Sequence, residues 1–240
     1  EPHPDFPTVG FPNPEEPGAT DLLIETMRRH SAVVGLAADP DADRVAVCAL
    51  DGGVPRQLTG DEVGSLLGEW LLAEVTSGPD RLVATTVVSS SRLERIAARH
   101  GAHFARTLTG FKYVSRPGLN HPEWQQVLAY EEAIGYAIGA DVHDKDGISA
   151  ALAVASLASA LAARGSSLVE MLDELDRTDG AHVTANFSLR YEGLGWRERR
   201  DRTVAELVGA PPDHIGAVPV GQVAQLAPDV LRIDLADGLR

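Results

Sequence analysis

Residues 33–50 read VVGLAADPDADRVAVCAL. Two apolar runs, 33–38 and 45–50, enclose the acidic hexapeptide Asp39-Pro40-Asp41-Ala42-Asp43-Arg44. Short apolar runs of this length, bounded by turn residues, predict two buried strands with the acidic loop at a strand end. Three carboxylates at alternate positions of so short a loop converge on one point and repel one another unless a cation lies between them. A hard divalent ion with oxygen ligands meets that requirement, which makes Asp39, Asp41 and Asp43 candidate metal ligands. A helix-loop-helix calcium site is excluded: counting from Asp39, it needs Gly at position six and Glu at position twelve, where this chain has Arg44 and Leu50. An aspartyl-phosphatase loop continues with Thr or Val at position five, which here is Asp43. The structural alternative is a solvated acidic turn with Arg44 as its ion-pair partner.

Working outward, residues 1–18 carry six prolines and predict extended loop. Residues 20–30 predict a helix. After the turn Asp51-Gly52-Gly53, Thr59 and Glu62 form a capping-box pattern, and Val63, Leu66, Leu67, Trp70 and Leu71 follow at helical spacing. A β-branched strand is expected over 82–88, then a helix capped by Ser91 and Glu94 and ending near Gly101, then a strand over 104–108. A strand over 127–130 runs into Glu131-Glu132-Ala133-Ile134-Gly135-Tyr136. Helices are expected from Gly147 to Gly165 and over 168–178, the first starting behind Asp144-Lys145-Asp146, with Asp146 as a candidate N-cap. The alternation predicts an α/β fold with mixed, mainly parallel sheets and flanking helices. Residues 183–193 alternate as a half-buried strand does, 196–208 predict a charged helix, and Pro211-Pro212 marks a linker.

The chain has 240 residues and a formal charge of −14, which argues against nucleic acid as a partner, since phosphate backbones need a clustered basic surface. A phosphate ligand would therefore need local positive charge and a metal. Among 21 basic residues only Lys112 and Lys145 are lysine, and both lie in the loops named here. The longest apolar stretch, 147–163, is interrupted by Ser149, Ser156 and Ser159 and reads as a buried helix, so no membrane partner is expected. A single cysteine, Cys48, leaves no intrachain disulfide and suits a reducing cytoplasm; no secretion leader is visible. Glu1 at the start, and an alternating run over 230–235 leading into Ala236-Asp237-Gly238 as a hairpin without its second strand, suggest an internal fragment. His100 and His103 lack a third ligand at metal spacing. Ser89-Ser90-Ser91 reads as a strand-to-helix cap, and Trp70 and Trp124 as packing residues.

Three motifs in order, the acidic hexapeptide, Thr109-Gly110-Phe111-Lys112-Tyr113, and Glu131 to Tyr136 with Asp144-Lys145-Asp146-Gly147 behind it, together resemble the α-D-phosphohexomutase family of phosphoglucomutases and phosphomannomutases. The wording Glu-Glu-Ala-Ile-Gly-Tyr resembles the phosphoglucomutase-2-like branch. The resemblance implies a four-domain enzyme of which residues 1–56 end the second domain, 57–190 form the third, and 191–240 lead into the fourth. It implies interconversion of hexose 1- and 6-phosphates through a phosphoserine and a bisphosphate intermediate. Asp39, Asp41 and Asp43 would hold one Mg²⁺ and Arg44 would support the phosphate. Lys112, Lys145 and a glutamate would bind the sugar phosphate. The family pattern Glu-x-Ser matches Glu131 if Ala133 stands for the serine, and Glu132 if Ile134 does; the serine is absent either way. The nucleophilic serine loop and the Arg-x-Ser-Gly-Thr phosphate loop are also absent, so the expectation is a mutase as the whole protein, with domains 1 and 4 supplied elsewhere in the polypeptide. This piece would have no turnover. The competing expectation is a non-catalytic sugar-phosphate or metal-binding module.

Overall fold

The computed structural model describes residues 6–187 and 193–236. The chain divides into two compact units, Glu1–Thr184 and Ala185–Arg240. The first unit opens with helix α1 (Asp21–His30), which carries Asp21 in its first turn and Arg28, Arg29 and His30 in its last, each favourable to the helix dipole. It packs on a three-stranded antiparallel sheet of β1 (Val34–Ala38), β2 (Val45–Asp51) and β3 (Val54–Gln57) in that order. Glycine at position 35 lets the helix pack closely, since a Cβ there would lie 2.5 Å from the Met27 sulfur and displace that side chain.

Helix α2 (Gly60–Trp70) follows, and the expected capping box is made: Glu62 N donates to Thr59 Oγ1 at 3.1 Å and Thr59 N to the Glu62 carboxylate at 2.7 Å. The next elements are β4 (Arg81–Thr86), α3 (Arg92–Arg99), β5 (His103–Thr107), the short helices α4 (Phe111–Val114) and α5 (Arg116–Asn120), then β6 (Gln125–Glu131) and β7 (Gly135–Ile138). The four strands form one sheet ordered β5-β4-β6-β7, parallel except for the β6–β7 pair. Among the described residues parallel pairing is confined to this sheet; the hairpin sheet that carries the acidic loop is antiparallel throughout. Helices α6 (Gly147–Ala163) and α7 (Leu168–Asp179) complete the unit. One buried cluster joins Val45 and Val47 of β2 to Leu66 of α2, Leu128 of β6, Leu157 of α6 and Leu172 of α7. Burial of this kind, at roughly 25 cal/mol per Å² of apolar surface, is what holds the two sheets together. The segment between β6 and β7 meets the end of the acidic turn, where Val45 N donates to Ile134 O at 3.2 Å.

The second unit contains α8 (Trp196–Gly209) and an antiparallel sheet of β8 (His214–Ile215), β9 (Val218–Ala227) and β10 (Val230–Leu235), ordered β10-β9-β8. Among the described residues no single helix is long and apolar enough to cross a membrane; α6 and α7 reach that length only as a pair bent by 86°.

Three local expectations change. Residues 183–187 form no strand: Val183 and Phe187 are 90% and 86% exposed, and alternation without a partner strand does not make a sheet; residues 188–192 lie outside the described residues. Ser91 does not cap α3, because its backbone is already helical; Ser90 Oγ accepts from Arg92 N at 3.2 Å, and Glu94 pairs with Arg106. Residues 230–235 form the expected strand and pair with the preceding β9; the expected turn and following strand lie outside the described residues. Helix α6 also buries only one face, leaving Ile148 and Leu152 mostly exposed.

Asp146 is the N-cap of α6, accepting from Ile148 N at 3.0 Å and Ser149 N at 3.1 Å. Burial pushes its carboxyl upward, but the hydrogen bonds from Ser149 and Ile148 outweigh it and hold the group below its ordinary 3.8. Asp146→Ala is expected to cost about 1 kcal/mol in a urea melt at pH 7. The folded value is the lower one, so this contribution is present above the unfolded value. It fades as pH falls through the folded value, and the difference between variant and parent should narrow below about pH 4.

Candidate functional site

The acidic loop begins as a β-turn, with Ala42 N donating to Asp39 O at 3.1 Å and Pro40 at the position where its fixed φ is favoured. Ala42 then takes φ +59°, a left-handed conformation that costs a non-glycine residue on the order of 1 kcal/mol. It is held there by the start of α6. Gly147 N donates to Ala42 O at 3.1 Å, and a Cβ on Gly147 would lie 2.7 Å from both the Ala42 and the Arg44 carbonyl oxygens. The loop is thereby clamped by a helix start that only glycine can provide.

Within this frame Asp39, Asp41 and Asp43 each offer a carboxylate oxygen, all within 4.8 Å of one another. Asp39 is buried, Asp43 half-buried and Asp41 exposed. Both Asp39 oxygens are engaged by one residue: Oδ1 accepts from Arg44 N at 3.1 Å and Oδ2 from Arg44 Nε at 2.9 Å. Each oxygen keeps a lone-pair site for another partner. Burial would raise the Asp39 carboxyl, yet the Arg44 hydrogen bonds prevail and hold it below its usual value. Burial raises Asp43, and neighbouring Asp39 adds to the rise, while Lys145 opposes both. An all-oxygen donor set of converging carboxylates, one of them desolvated, fits Mg²⁺ or another hard divalent ion and does not suit a soft one.

Two further loops are tied to this one. Arg44 forms a bridge with Gly135, and Val45 N donates to Ile134 O at 3.2 Å, so the acidic loop and the loop after β6 share backbone hydrogen bonds. Lys145 crosses the junction. Its Nζ lies 3.1 Å from Asp43 Oδ2 and 5.4 Å from the centre of the Phe111 ring. Its stem passes so close to Gly135 that a Cβ there would sit 2.4 Å from Lys145 Cδ. Burial alone would lower the ammonium pKa, but Asp43, Asp144 and Glu131 raise it. Glu131 is buried, and its Oε1 accepts from Gly110 N at 2.5 Å, which joins the Lys112 loop to the same centre. Burial raises the Glu131 carboxyl against the pull of that hydrogen bond and of Lys145. Glu132 turns to the other side, where its Oε2 accepts from Thr86 Oγ1 at 3.1 Å and Ser89 Oγ at 3.0 Å. Ile134 takes φ +51°, an outlier for a β-branched residue. Gly60 supports this loop, since a Cβ there would lie 2.0 Å from Glu132 O.

The structure thus brings Asp39, Asp41, Asp43, Arg44, Lys145 and Glu131 to one junction. Glu132 faces the Thr86–Ser89 corner instead. Lys112 is exposed, with its ammonium 5.0 Å from the centre of the Tyr113 ring and no ion pair among the described residues. Sequence reasoning missed Asn13 and Glu15, both of which accept from Arg44 Nη1, at 3.3 and 3.2 Å. It also missed the packing roles of Phe111, Gly135 and Gly147. Glycines beside two charged loops were the available signal for the last two; nothing in a proline-rich stretch announces the first pair.

Residues 59–178 match phosphoglucomutase/phosphomannomutase alpha/beta/alpha domain III, and residues 1–52 match domain II of the same family. The chain belongs to the phosphoglucomutase/phosphomannomutase, or α-D-phosphohexomutase, family. It is 40% identical over 220 residues to a probable phosphomannomutase of Haemophilus influenzae, covering 90% of this chain and 43% of that protein. It is 42% identical over 195 residues to a phosphopentomutase of Homo sapiens, covering 77% and 32% respectively. A crystal structure of a putative phosphomannomutase from Thermus thermophilus shares the fold with a TM-score of 0.69 at 22% identity, covering 98% of this chain and 45% of that one. The chain spans less than half the length of these relatives.

Asp43→Asn removes one charge from the cluster and should weaken Mg²⁺ binding about tenfold by titration calorimetry, since hard cations follow ligand charge. Gly147→Ala should weaken it comparably by forcing the loop off the helix start, with the carboxylates unchanged.

Proposed function

We propose that this chain is the metal-loop and sugar-loop portion of a phosphosugar mutase that interconverts hexose 1- and 6-phosphates. The observation that supports the reading most is the single junction where three carboxylates, Arg44, Lys145 and Glu131 meet. In this reading residues 1–56 end a second domain, 57–190 are a third and 191–240 lead into a fourth. A phosphoserine from another part of the polypeptide gives its phosphoryl group to a sugar phosphate, and the resulting bisphosphate turns round and returns the other phosphate. Asp39, Asp41 and Asp43 would hold one Mg²⁺, which supplies charge neutralisation at the transferring phosphoryl group. A hexose bisphosphate serves as activator, and a reducing cytoplasm suits the single buried Cys48.

The chain's own residues then divide the work. Arg44 holds the Asp39 carboxylate through Nε and its main-chain N–H, and donates from Nη1 to Asn13 and Glu15. Lys145 balances Asp43 and lies within electrostatic reach of Glu131. Glu131 keeps one oxygen on Gly110 N and presents the other to sugar hydroxyls, so it is the better candidate of the two glutamates; Glu132 is engaged with Thr86 and Ser89. To a substrate phosphate, Lys112 offers an ammonium that has no ion pair among the described residues. Ala133, where the family pattern has serine, removes one hydroxyl from this loop and bears on which sugar fits.

The test is an assay of the full-length protein with Mg²⁺, a bisphosphate activator and a panel of sugar 1-phosphates. Interconversion is expected, with Glu131→Gln lowering kcat/KM by about a hundredfold and Lys112→Ala raising KM by about tenfold, the scale of one or two charge-assisted hydrogen bonds. Binding of sugar phosphate and Mg²⁺ without turnover by the full-length protein would favour the non-catalytic binding module instead.

A further inference from the structure

Arg44 has five N–H donors, and their partners leave an informative remainder. Nε is taken by Asp39 at 2.9 Å, and Nη1 is shared by Asn13 at 3.3 Å and Glu15 at 3.2 Å. Among the described residues Nη2 donates to nothing. Asp39 alone would leave Nη1 without a fixed partner. The acceptors on Nη1 add a second point of attachment and so fix which way the two Nη2 hydrogens point.

Both acceptors sit on a segment that is itself pinned. Pro14 is buried, and its carbonyl accepts from Gln57 Nε2 at 3.0 Å. The other amide atom of Gln57 accepts from Thr20 Oγ1 at 2.7 Å, so one β3 side chain holds both ends of residues 14–20. Glu15 is also placed in electrostatic reach of Glu132 in the loop after β6. An isolated surface ion pair is worth little. This one is held by a strap with two anchors on Gln57, and Arg44 reaches it from a loop that is itself clamped.

We propose that Glu15 is a positioning residue that, with Asn13, fixes the Arg44 guanidinium so that its Nη2 edge meets a phosphate dianion of the substrate. The inference rests on the sugar-phosphate reading above and adds to it a residue from outside the three motifs. The chemistry requires an acceptor of this type. A free guanidinium edge beside three carboxylates suits an oxygen-rich anion that shares its other oxygens with a divalent cation, and planar N–H geometry matches phosphate.

Two consequences of removing Glu15 oppose each other, and separate variants resolve them. Loss of its charge favours an incoming anion; loss of its acceptor frees Arg44 to rotate. Glu15→Gln removes the charge and keeps an acceptor, whereas Glu15→Ala removes both. The experiment measures, in the full-length protein, inhibition by inorganic phosphate and KM for α-D-glucose 1-phosphate at saturating Mg²⁺, with Mg²⁺ affinity determined separately by calorimetry. The expected result is a roughly tenfold weaker phosphate inhibition and a matching rise in KM for Glu15→Ala. Glu15→Gln should stay within about twofold of the parent, and Mg²⁺ affinity within about threefold in both. Equal behaviour of Glu15→Ala and the parent, or tighter phosphate binding by both variants, would overturn the proposal. If Glu15→Ala fails to fold, Asn13→Ala removes the other Nη1 acceptor: phosphate inhibition about threefold weaker supports the positioning role, and no change overturns it. A parent protein that binds neither Mg²⁺ nor phosphate would strike the underlying reading rather than the role of Glu15.

Discussion

Repulsion among three carboxylates is the constraint around which this site is built. Two unit charges at about 4.8 Å near a protein surface oppose each other by on the order of 3 kcal/mol, less where a group such as Asp41 faces water. A short loop cannot hold three of them together by backbone preference alone. The compensation comes from Arg44, which places two N–H donors on Asp39, and from Lys145, which reaches Asp43 across the neighbouring loop. The opposite movements of Asp39 and Asp43 from their ordinary acidities follow. Arg44's hydrogen bonds overcome the burial of Asp39, while Asp43 feels burial and the adjacent Asp39 charge more than it feels Lys145.

Electrostatic compensation would be wasted if the backbone could relax, and the packing prevents that. Ala42 and Ile134, one in each loop, hold left-handed conformations that neither residue prefers. Each is braced from outside at a glycine against which another backbone packs: Gly147 beneath Ala42, and Gly60 under the loop that contains Ile134, with the Lys145 side chain lying over Gly135. The Arg44–Gly135 bridge then sets the spacing between the loops through main-chain atoms. Left-handed backbone at two points and close backbone approach at two others define one corner, which is the condition for presenting charged groups in a fixed arrangement.

How far the sequence carried depended on whether a feature was local. The strand-loop-strand around Asp39–Asp43, the Thr59–Glu62 capping box and the Asp146 cap were legible because each is written in residues a few positions apart. The convergence of the carboxylates was legible for the same reason. What could not be read was anything decided by a distant partner. The alternation at 183–187 has the pattern of a strand and, among the described residues, no strand to pair with. Ser91 and Glu94 have capping spacing, but the helix starts from Ser90's side while Glu94 is drawn to Arg106. Glu131 and Glu132 are adjacent and indistinguishable in sequence; one turns to Gly110 and the other to Thr86 and Ser89 because β6 ends between two different loops. Asn13 and Glu15 reach Arg44 from about thirty residues away, a contact no spacing rule anticipates.

That last contact changes how the corner should be understood. A hairpin loop supplies the carboxylates, the end of a mainly parallel sheet supplies the buried glutamate, and a helix start supplies the clamp, so three elements that share one core contribute to one junction. Arg44 is where all three are connected. Its main chain pairs with Gly135, its carbonyl presses on Gly147, its N–H groups hold Asp39, and its outer nitrogen is tied to the strap. Replacing it by lysine would keep the charge but not the geometry, because an ammonium has no planar fork with which to face an aspartate and a glutamate at once. An arginine-rich chain that keeps lysine at only two positions uses each cation according to that difference: a point charge reaches across to Asp43 from position 145, and a fork holds the centre at position 44.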